Sequence, residues 1–345
     1  MKVLVIGGSG FIGPHTVGHL QQAGHHVTVF HRGNSPVPPG VQQILGDHSR
    51  LSDYRAEFER QQFDVVLDFI LSSGRQANDL VETFRGIAGR VVAVSSMDVY
   101  RAMGILQGTE TGTLQELPIT EDSALRVNRN TYSPEAMKRV KELYPWADDE
   151  YDKIPVEEAA LGNPELPGTV LRLPMVYGPG DPLHRFHHIL KRMDDGRQHI
   201  VLSDDVASFR TPRGYVENVG AAIALAAVSD RAAGRVYNIG ELQCFSQLDW
   251  AEKIAAAVGW IGKFVILPRE QTPKHLLMPT RLEQHLVVAS ERVRRELNYH
   301  EPIPTEVALR RTIAWEREHQ PQQPMYMPFN YTDEDLALQK LKASA

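Results

Sequence analysis

The chain has 345 residues, and its 37 lysine and arginine residues are outnumbered by 43 aspartate and glutamate residues, which gives a formal net charge of −6. This length accommodates one large α/β domain with a smaller lobe, and the acidic balance disfavours nucleic acid as the main partner. The one cysteine, Cys244, excludes an internal disulfide, and the fourteen histidines show no zinc-binding spacing, so no metal site is predicted.

The beginning of the chain and its apolar runs bear on localisation. The first predicted strand starts at Lys2, which leaves no room for a secretory signal before folded structure. The longest weakly polar run, residues 219–228, is about half the length of a membrane span. We therefore expect a cytoplasmic protein with no membrane partner.

A glycine-rich loop directly follows the first predicted strand. The apolar residues 3–6 run into Gly-Gly-Ser-Gly-Phe-Ile-Gly at 7–13, which fits the dinucleotide fingerprint. Its glycines permit a tight turn, a close approach of backbone N–H groups to a pyrophosphate, and close packing of the next helix on the strand. The residues assigned here to cofactor binding are Gly7, Gly10, Phe11, Ile12 and Gly13.

The end of the second predicted strand, residues 26–30, bears on the choice of cofactor. An NAD site of this kind places an acidic residue at this point, where it holds the ribose 2′-hydroxyl. This chain has His31 and Arg32 instead. Because an arginine can pair with a 2′-phosphate, we favour NADP over NAD. In the alternative interpretation, Arg32 is an exposed residue of the following loop.

The third predicted strand, residues 43–45, ends in an acidic residue that has two interpretations. Asp47 lies at the carboxyl edge of the predicted sheet, where it either accepts a hydrogen bond from the adenine amine or caps the next helix. We assign Asp47 and His48 to the cofactor site. Further strands are predicted at residues 65–70 and 91–94, and their alternation with helices indicates a Rossmann-type, doubly wound parallel sheet.

A series of motifs follows in a fixed order along the chain. They are Gly46-Asp47, Ser95-Ser96-x-x-Val99-Tyr100, Thr120-Glu121-Asp122-Ser123, Leu171-Arg172-Leu173-Pro174-x-Val176-Tyr177-Gly178-Pro179, Tyr215-Val216-Glu217-Asn218-Val219 and Val236-Tyr237-Asn238-Ile239-Gly240. In this order they resemble the extended and atypical short-chain dehydrogenase/reductases, in particular the NAD(P)-dependent epimerase/dehydratase group. The resemblance covers nearly the whole chain.

The resemblance implies a division into domains. It places an NAD(P)-binding Rossmann domain at residues 1–174, to which residues 214–242 return, and a substrate-binding domain at residues 175–213 and 243–320. Residues 321–345 are expected to form a tail, with an irregular connector at residues 320–328 and a terminal helix after it. The resemblance also implies a homodimer formed through two helices of the nucleotide-binding domain.

The resemblance further implies a catalytic site. Members of this family move a hydride between nicotinamide and a substrate carbon, while a tyrosine transfers the hydroxyl proton and a lysine four residues later holds the nicotinamide ribose. Ser96 matches the serine that hydrogen-bonds the reacting oxygen, and Lys153 matches the lysine. Pro174 and Val176 are expected to contact the cofactor.

The tyrosine of this site is irregular. Asp149 stands four residues before Lys153, and Tyr151 lies only two residues before it, which on a helix is nearly the opposite face. If the helix begins near Pro155, residues 151–153 are extended and the two side chains point to the same side. We assign Tyr151 as the acid/base; the alternative leaves Lys153 alone at the ribose. Further candidates for proton transfer are Tyr100 and Tyr177.

Three residues are assigned to the substrate: Tyr177, Arg210 and Arg213. The two arginines precede Tyr215 in a region where the family binds an anionic group such as a nucleotide-sugar phosphate, although their spacing does not match the family's arginine. The acidic residues 148–150 beside the catalytic segment would repel a highly anionic substrate unless they face solvent.

The combined expectation is an NADP-dependent oxidoreductase, epimerase or dehydratase. It would act on a hydroxyl or carbonyl of a sugar-like or other small polar substrate. The irregular tyrosine spacing supports an alternative, in which the chain is an NADP-binding sensor or interaction protein that has lost the chemistry. A role in association with RNA is less favoured because the chain is acidic.

Overall fold

A computed structural model of the chain describes residues 1–130, 132–322 and 327–343. Of the predicted connector at 320–328, residues 323–326 lie outside the described residues. The strands are β1 Lys2–Ile6, β2 His26–His31, β3 Gln42–Leu45, β4 Phe63–Asp68, β5 Ala88–Ser96, β6 Gly168–Leu173, β7 Met175–Tyr177, β8 His199–Ser203, β9 Arg213–Tyr215, β10 Arg235–Asn238 and β11 Lys263–Leu267.

The helices lie between and after these strands along the chain. They are α1 Gly13–Gln22, α2 Arg55–Gln61, α3 Gly74–Phe84, α4 Arg101–Leu106, α5 Pro134–Leu143, α6 Lys153–Leu161, α7 His187–Asp194, α8 Asp204–Ser208, α9 Val216–Val228, α10 Gln247–Val258, α11 Glu291–Leu297, α12 Thr305–Glu318 and α13 Tyr331–Ala343. Short 3₁₀ turns lie at His48–Tyr54, Met97–Val99, Asp230–Ala232, Arg269–Gln271 and Lys274–Leu276. None of these helices is long and apolar enough to span a membrane.

Seven strands form one parallel sheet in the order β10-β6-β5-β4-β1-β2-β3. All the predicted strands lie in it, which confirms the doubly wound parallel sheet. The predicted strand at 65–70 ends at Asp68, because the Asp68 carboxylate accepts a hydrogen bond from the Ile70 N–H at 2.8 Å and turns the chain there.

The sheet is buried on both faces. Along β1, Val3 and Val5 pack into a core with residues of α1 and α9, whereas Leu4 and Ile6 pack into a second core with residues of α3 and α6. This two-sided burial explains why β1 is a nearly continuous apolar run rather than an alternating one. The strand order reverses between β1 and β4, so their carboxyl ends open the crevice where such sheets bind ligands.

A second group of elements, termed the smaller lobe, lies outside the seven-stranded sheet. It contains two short parallel strand pairs, β7 with β9 and β8 with β11, together with α7, α8, α10 and α12. Aromatic side chains pack in its core: the ring centroids of Tyr177, Phe186 and Trp250 lie 5.1–5.3 Å apart.

The terminal helix α13 docks through both apolar and charged side chains. Its leucines, Leu336, Leu338 and Leu341, indicate docking on the body or on a partner; Leu338 packs against the buried cluster of Val201, Leu267 and Leu276, whereas Leu336 and Leu341 are exposed by 47% and 40%. The buried residue is Glu334, whose carboxylate pairs with Arg192 of α7 at 2.7 Å, with both side chains 1% exposed. A buried ion pair, which hydrophobic periodicity does not reveal, therefore holds α13 on the body together with the contacts of Leu338.

Candidate functional site

The glycine loop between β1 and α1 is closely packed. Gly7 has a φ of 78°, which favours glycine, and a Cβ atom on Gly13 would lie 2.6 Å from the backbone of Gly8. Helix α1 starts without a side-chain cap and has no acidic residue in its first turn. Its first N–H groups are therefore available to an anion, and the loop fits a pyrophosphate.

On one side of this loop, a cavity of about 410 Å³ follows the ends of β2 and β3. Arg32 lies exposed at its rim, and Asp47 and His48 line its wall. The Asp47 carboxylate accepts hydrogen bonds from the Ser49 N–H and hydroxyl at 2.9 Å, which lower the pKa of Asp47. Asp47 thus caps the 3₁₀ turn, as in the second interpretation above, while it also lines the cavity.

His48 is anchored by a buried carboxylate. Its Nε2 atom lies 2.8 Å from an Asp68 carboxylate oxygen. Burial lowers the pKa of His48, but the charge and hydrogen bond of Asp68 outweigh this and raise the pKa above its ordinary value. This pair fixes the imidazole in the cavity wall, against the end of β4.

A second cavity, of about 490 Å³, continues from the glycine loop along the ends of β5 and β6. Ser96, Tyr151 and Lys153, which are separated by up to 57 residues in the chain, all line it. Pro174 and Val176 line the same cavity, together with Gly7, Gly10, Phe11, Ile12 and Gly13 of the loop. The two cavities share Gly7 and Gly10 and form one cleft.

Lys153 is the first residue of α6. The preceding Asp152 is extended, and its carboxylate accepts a hydrogen bond from the Ile154 N–H at 3.1 Å, which caps the helix. The ammonium group of Lys153 donates to the backbone carbonyls of Leu71 and Val94, the latter at 3.1 Å. Burial lowers the pKa of Lys153 to about 8.

Tyr151 lies just before α6, on the cavity side. Its ring centroid is 5.9 Å from the Lys153 ammonium nitrogen, and its hydroxyl donates to an Asp98 carboxylate oxygen at 3.1 Å. Burial first, and then the Asp98 charge, raise the pKa of Tyr151 well above its ordinary value. The hydroxyl therefore carries its proton at neutral pH.

Ser96 ends β5 and starts the short turn that carries Asp98. Its hydroxyl oxygen accepts a hydrogen bond from the Asp98 N–H at 3.1 Å. Since a hydroxyl has one donor and two acceptor positions, the Ser96 O–H remains able to donate to a ligand in the cavity.

The reserve tyrosine Tyr100 lies behind the site rather than in it. It is fully buried, and its hydroxyl accepts from Arg172 at 2.9 Å and donates to Asn238 at 2.6 Å. Arg172 in turn pairs with Glu157 at 2.6 Å. Tyr100 belongs to a buried network that joins β6, β10 and α6, which excludes it from contact with a ligand in the cleft.

Tyr177, which was assigned as a substrate residue or proton donor, does not line the cleft either. It is fully buried, and its hydroxyl donates to the Glu241 carboxylate at 2.7 Å, away from the cleft. Burial raises the pKa of Glu241 to about 7. The ring of Tyr177 packs against Phe186 and Trp250 in the smaller lobe.

The two predicted substrate arginines occupy different places. Arg210 is exposed and lines neither half of the cleft. Arg213 is buried in a third cavity of about 410 Å³, with its guanidinium carbon 4.9 Å from the Phe186 ring and 5.2 Å from the Trp250 ring. Arg185 lines both this cavity and the second cavity, where Lys153 lies. Arg213 is thus near the cleft, and Arg210 is not.

The carboxylates of Asp148 and Asp149, beside the catalytic segment, form contacts outside the cleft. Asp148 accepts from the Ser73 hydroxyl at 2.9 Å and pairs with Arg75. Asp149 is 90% exposed at its side chain and pairs with Lys141. These carboxylates therefore hold the segment against α3 and α5 and do not line the cleft.

Several cleft residues escaped the sequence-based prediction. Tyr132 and Trp146 line the cavity from the long connection between β5 and β6, which carries no strand pattern. Trp146 lies with its ring 5.7 Å from the Lys153 ammonium nitrogen. Asp98 had a detectable signal, because it lies two residues after Ser96 at a strand end. Among the described residues, no group of histidines, cysteines and carboxylates could hold a metal.

This combination of a parallel sheet, a glycine loop and a lysine-bearing cleft defines a dinucleotide-binding α/β protein. Residues 3–240 match the profile of the NAD dependent epimerase/dehydratase family, and the chain belongs to that family. The family consists of enzymes, and the protein therefore has a site for a nicotinamide dinucleotide.

Curated relatives and solved structures agree with this assignment. The chain is 28% identical over 291 residues to 2′-dehydrokanamycin reductase of Streptomyces kanamyceticus, a match that covers 80% of this chain and 72% of that protein. It is 24% identical to 2-alkyl-3-oxoalkanoate reductase of Stenotrophomonas maltophilia, over 75% of this chain and 76% of that protein.

The fold is similar to that of dTDP-glucose 4,6-dehydratase of Bacillus anthracis in complex with NAD, with a TM-score of 0.63 and 18% identity. The match covers 93% of this chain and 97% of that chain.

Proposed function

We propose that the protein is an NADP-dependent oxidoreductase that interconverts a hydroxyl and a carbonyl group on a small polar, sugar-like substrate. The conversion is either the net reaction or the first half of an epimerisation or dehydration. The observation that carries the proposal is the convergence of Ser96, Tyr151 and Lys153 on the cleft that begins at the glycine loop.

Each of the three side chains has a role that follows from its contacts. The bound nicotinamide supplies or accepts the hydride. The Ser96 hydroxyl donates to the reacting oxygen, and the Tyr151 hydroxyl, which carries its proton at neutral pH, transfers the proton. Lys153 has two of its three N–H groups on backbone carbonyls, which leaves one N–H to donate to the ribose hydroxyls of a bound cofactor.

The preference for NADP rests on the end of β2. This strand ends in His31, whose Nε2 atom lies 2.9 Å from the Gln43 side-chain oxygen, and it is followed by Arg32, rather than by the acidic residue that holds a ribose 2′-hydroxyl in NAD sites. Arg32, Asn34 and Ser35 line the rim of the same cavity. A guanidinium with neighbouring polar side chains suits a 2′-phosphate.

The third cavity suggests the remainder of the substrate. Two nitrogen atoms of the buried Arg213, Nε and Nη1, have no hydrogen-bond partner in the part of the chain that the structure describes. Burial lowers the pKa of Arg213 to about 10, and the group stays charged at neutral pH. We propose that an anionic group of the substrate occupies this cavity. One relative, 2-alkyl-3-oxoalkanoate reductase, is named for a substrate that carries a carboxylate.

The domain division is proposed as predicted, with residues 1–174 and 214–242 in the nucleotide-binding domain and residues 175–213 and 243–320 in the substrate-binding domain. The position of β10 in the main sheet supports it, as do the β7–β9 and β8–β11 pairs outside that sheet. With a single cysteine, we propose a reducing compartment such as the cytoplasm.

The experiment is absorbance at 340 nm with UDP-glucose, UDP-galactose and ethyl acetoacetate as probes, each with NADP⁺ or NADPH. The proposal expects turnover with at least one probe and a loss of about 10²-fold or more in kcat for Tyr151→Phe. Tyr237→Phe is the control, since Tyr237 also donates to a carboxylate, that of Glu296, but outside the cleft. No change at 340 nm with any probe, neither at steady state nor as a transient reduction of bound cofactor in a single turnover, would favour the sensor alternative.

A further inference from the structure

Asp98 connects two tyrosines of the cleft through one carboxylate. It lies in the 3₁₀ turn after β5 and is 3% exposed. One of its oxygens, Oδ2, accepts hydrogen bonds from the hydroxyls of Tyr132 and Tyr151, both at 3.1 Å. The other oxygen, Oδ1, is buried and has no partner within the described part of the chain.

The two tyrosines are neighbours in the cavity wall. Their ring centroids lie 5.5 Å apart, with an interplanar angle of 55°. Both are half-buried and line the second cavity of the cleft, where Lys153 lies. The carboxylate thus lies behind the cavity, and the two phenols stand between it and any ligand.

The nearby cations are committed to other acceptors. The Lys153 ammonium group donates to the carbonyls of Leu71 and Val94. The Arg126 guanidinium donates to the backbone carbonyl of Asp98 at 2.5 Å, and pairs with the Asp152 carboxylate at 3.0 Å. Among the described residues, the hydrogen bonds to the Asp98 carboxylate therefore come from the two phenols.

One oxygen of the Asp98 carboxylate is shared by two phenols, and the other is buried without a partner in the described part of the chain, so acceptor positions on this carboxylate remain open to a proton. Its neighbours Tyr132 and Tyr151 are hydroxyls that both donate and accept hydrogen bonds, so a proton can pass through either. These are the properties of a proton reservoir between two hydroxyl groups. If Asp98 served only for packing, a neutral side chain of the same shape would do equally well at this position.

We propose that Asp98 is a positioning residue that receives and returns the proton of Tyr151, and that Tyr132 connects it to solvent. This inference rests on the proposed function and deepens it. It adds two residues to the proton path, Asp98 and Tyr132, which the family resemblance did not supply.

In the direction of alcohol oxidation, the substrate O–H bond breaks and its proton goes to the Tyr151 oxygen. At the same time the Tyr151 proton goes to Oδ2 of Asp98. The substrate C–H bond breaks as the carbonyl forms, and a bound NADP⁺ would accept the hydride that this oxidation releases. Asp98 is then neutral, and its proton leaves through the Tyr132 hydroxyl to solvent. Carbonyl reduction with NADPH follows the same steps in reverse.

The titration of Tyr151 reports on this coupling. Because the Asp98 charge opposes formation of a tyrosinate, Asp98→Asn should let Tyr151 ionise about one pH unit lower. The other titratable and charged groups around the pair are Tyr132, Tyr144, Lys153, Asp68, Glu157, Arg126 and Asp152.

The first measurement uses the full-length protein without cofactor. Protein labelled with ¹³C at tyrosine Cζ is titrated by NMR, with Tyr151→Phe and Tyr132→Phe assigning the two signals. Asp98→Asn should move the Tyr151 titration to lower pH, and Asp98→Glu should restore it in part. Glu296→Gln, which removes the carboxylate partner of Tyr237 at the same 3.1 Å distance, should leave the Tyr151 signal unchanged. An unmoved Tyr151 titration in Asp98→Asn would overturn the coupling.

The second measurement is the pH profile of kcat with UDP-glucose or ethyl acetoacetate, whichever the wild-type protein turns over. Asp98→Asn should lower kcat by about 10²-fold, and Tyr132→Phe by about 10-fold, with KM changed much less. If Asp98 were merely structural, Asp98→Asn would lower the melting temperature and leave the kcat profile unchanged. That outcome, or full activity of Tyr132→Phe, would overturn the relay.

Failure of the relay and failure of the proposed function give different results. If Tyr151→Phe is fully active, the proposed function is wrong in its acid/base and the relay fails with it. If Tyr151→Phe is inactive and Asp98→Asn is fully active, the proposed function stands and the relay is wrong. If the wild-type protein turns over neither probe, the NMR titration alone decides whether Asp98 controls Tyr151.

Discussion

The hydroxyl-bearing ring of Tyr151 lies 5.9 Å from the Lys153 ammonium nitrogen, although the two residues are only two positions apart in the chain. On one helix this offset would separate them by about 200°. They meet because Asp152 is extended and α6 begins at Lys153, two residues before Pro155. A helix that starts late thus lets this chain bring a tyrosine and a lysine together without the family's usual spacing.

The close approach of Gly13 to Gly8 predicts an unequal response to two glycine substitutions in α1. Gly13→Ala places a Cβ 2.6 Å from backbone atoms, so the loop must shift. We expect a loss of about 1–3 kcal/mol in the free energy of unfolding and at least a 10-fold weaker NADP⁺ affinity. Calorimetry and chemical denaturation measure the two effects.

Gly18→Ala on the same helix is the matched control. Nothing lies within 4 Å of a Cβ at this position. We expect it to stabilise the protein by about 0.5–1 kcal/mol, since alanine favours a helix, and to leave NADP⁺ affinity unchanged. Equal effects of the two substitutions on affinity would contradict the pyrophosphate assignment.

Arg32 is expected to discriminate between the two dinucleotides. Arg32→Ala should weaken NADP⁺ binding by about 10-fold or more, because a charge-assisted contact to the 2′-phosphate is lost. NAD⁺ binding should change by less than about 2-fold. Arg50→Ala, an exposed arginine that pairs with Asp53, controls for net charge. Equal losses for NADP⁺ and NAD⁺ in Arg32→Ala would exclude the 2′-phosphate contact.

Glu241 gives the protein a pH dependence of stability whose sign follows from its burial. The pKa of Glu241 is raised from 4.5 to about 7. Between these pH values the folded protein keeps a proton on Glu241 that the unfolded chain has released. The contribution of Glu241 to the free energy of unfolding is therefore complete below pH 4.5 and is lost as the pH rises to 7. Glu241→Gln should reduce the change in the free energy of unfolding across this pH range by on the order of 2 kcal/mol.

Urea denaturation at pH 5 and at pH 7.5 checks this prediction for Glu241. Glu116→Gln, at an exposed position, is the control and should leave the pH dependence as it is in the wild type. If Glu241→Gln and the wild type show the same difference in stability between the two pH values, this carboxyl does not titrate as described.

The ion pair beneath α13 predicts a large effect from one residue and a small effect from its neighbour. Glu334→Ala leaves the buried Arg192 guanidinium without its partner and should cost about 3–5 kcal/mol in the free energy of unfolding. Asp335→Ala breaks a half-exposed pair with Arg197 and should cost less than about 1 kcal/mol. Similar costs in thermal denaturation would mean that the terminal helix is held by other contacts.

The sheet could be predicted because its strands are short apolar runs that end in turn residues. The Lys2–Ile6 and Phe63–Asp68 strands are buried on both faces, and such burial leaves an almost continuous apolar signal. The glycine loop could be predicted because its backbone geometry admits few residue types. In both cases the constraint is local, so a single stretch of sequence carries it.

The proton-transfer side of the site could be predicted only in part. Lys153 was assigned from the family resemblance, and its place on the same side as Tyr151 was predicted because Pro155 limits where the helix can start. Tyr132 was missed, since it comes from an irregular segment whose path depends on long-range contacts with Asp98. Tyr177 was misassigned for the same reason: its partner Glu241 lies 64 residues further along the chain.

The cofactor complex provides the most direct test of the central claim. A crystal structure with NADP⁺ bound should place the nicotinamide C4 atom beside the hydroxyls of Ser96 and Tyr151, with the ribose hydroxyls on the Lys153 ammonium group. A nicotinamide ring bound outside this cavity, or one whose C4 atom faces away from Tyr151, would contradict the assignment of these three residues to hydride and proton transfer.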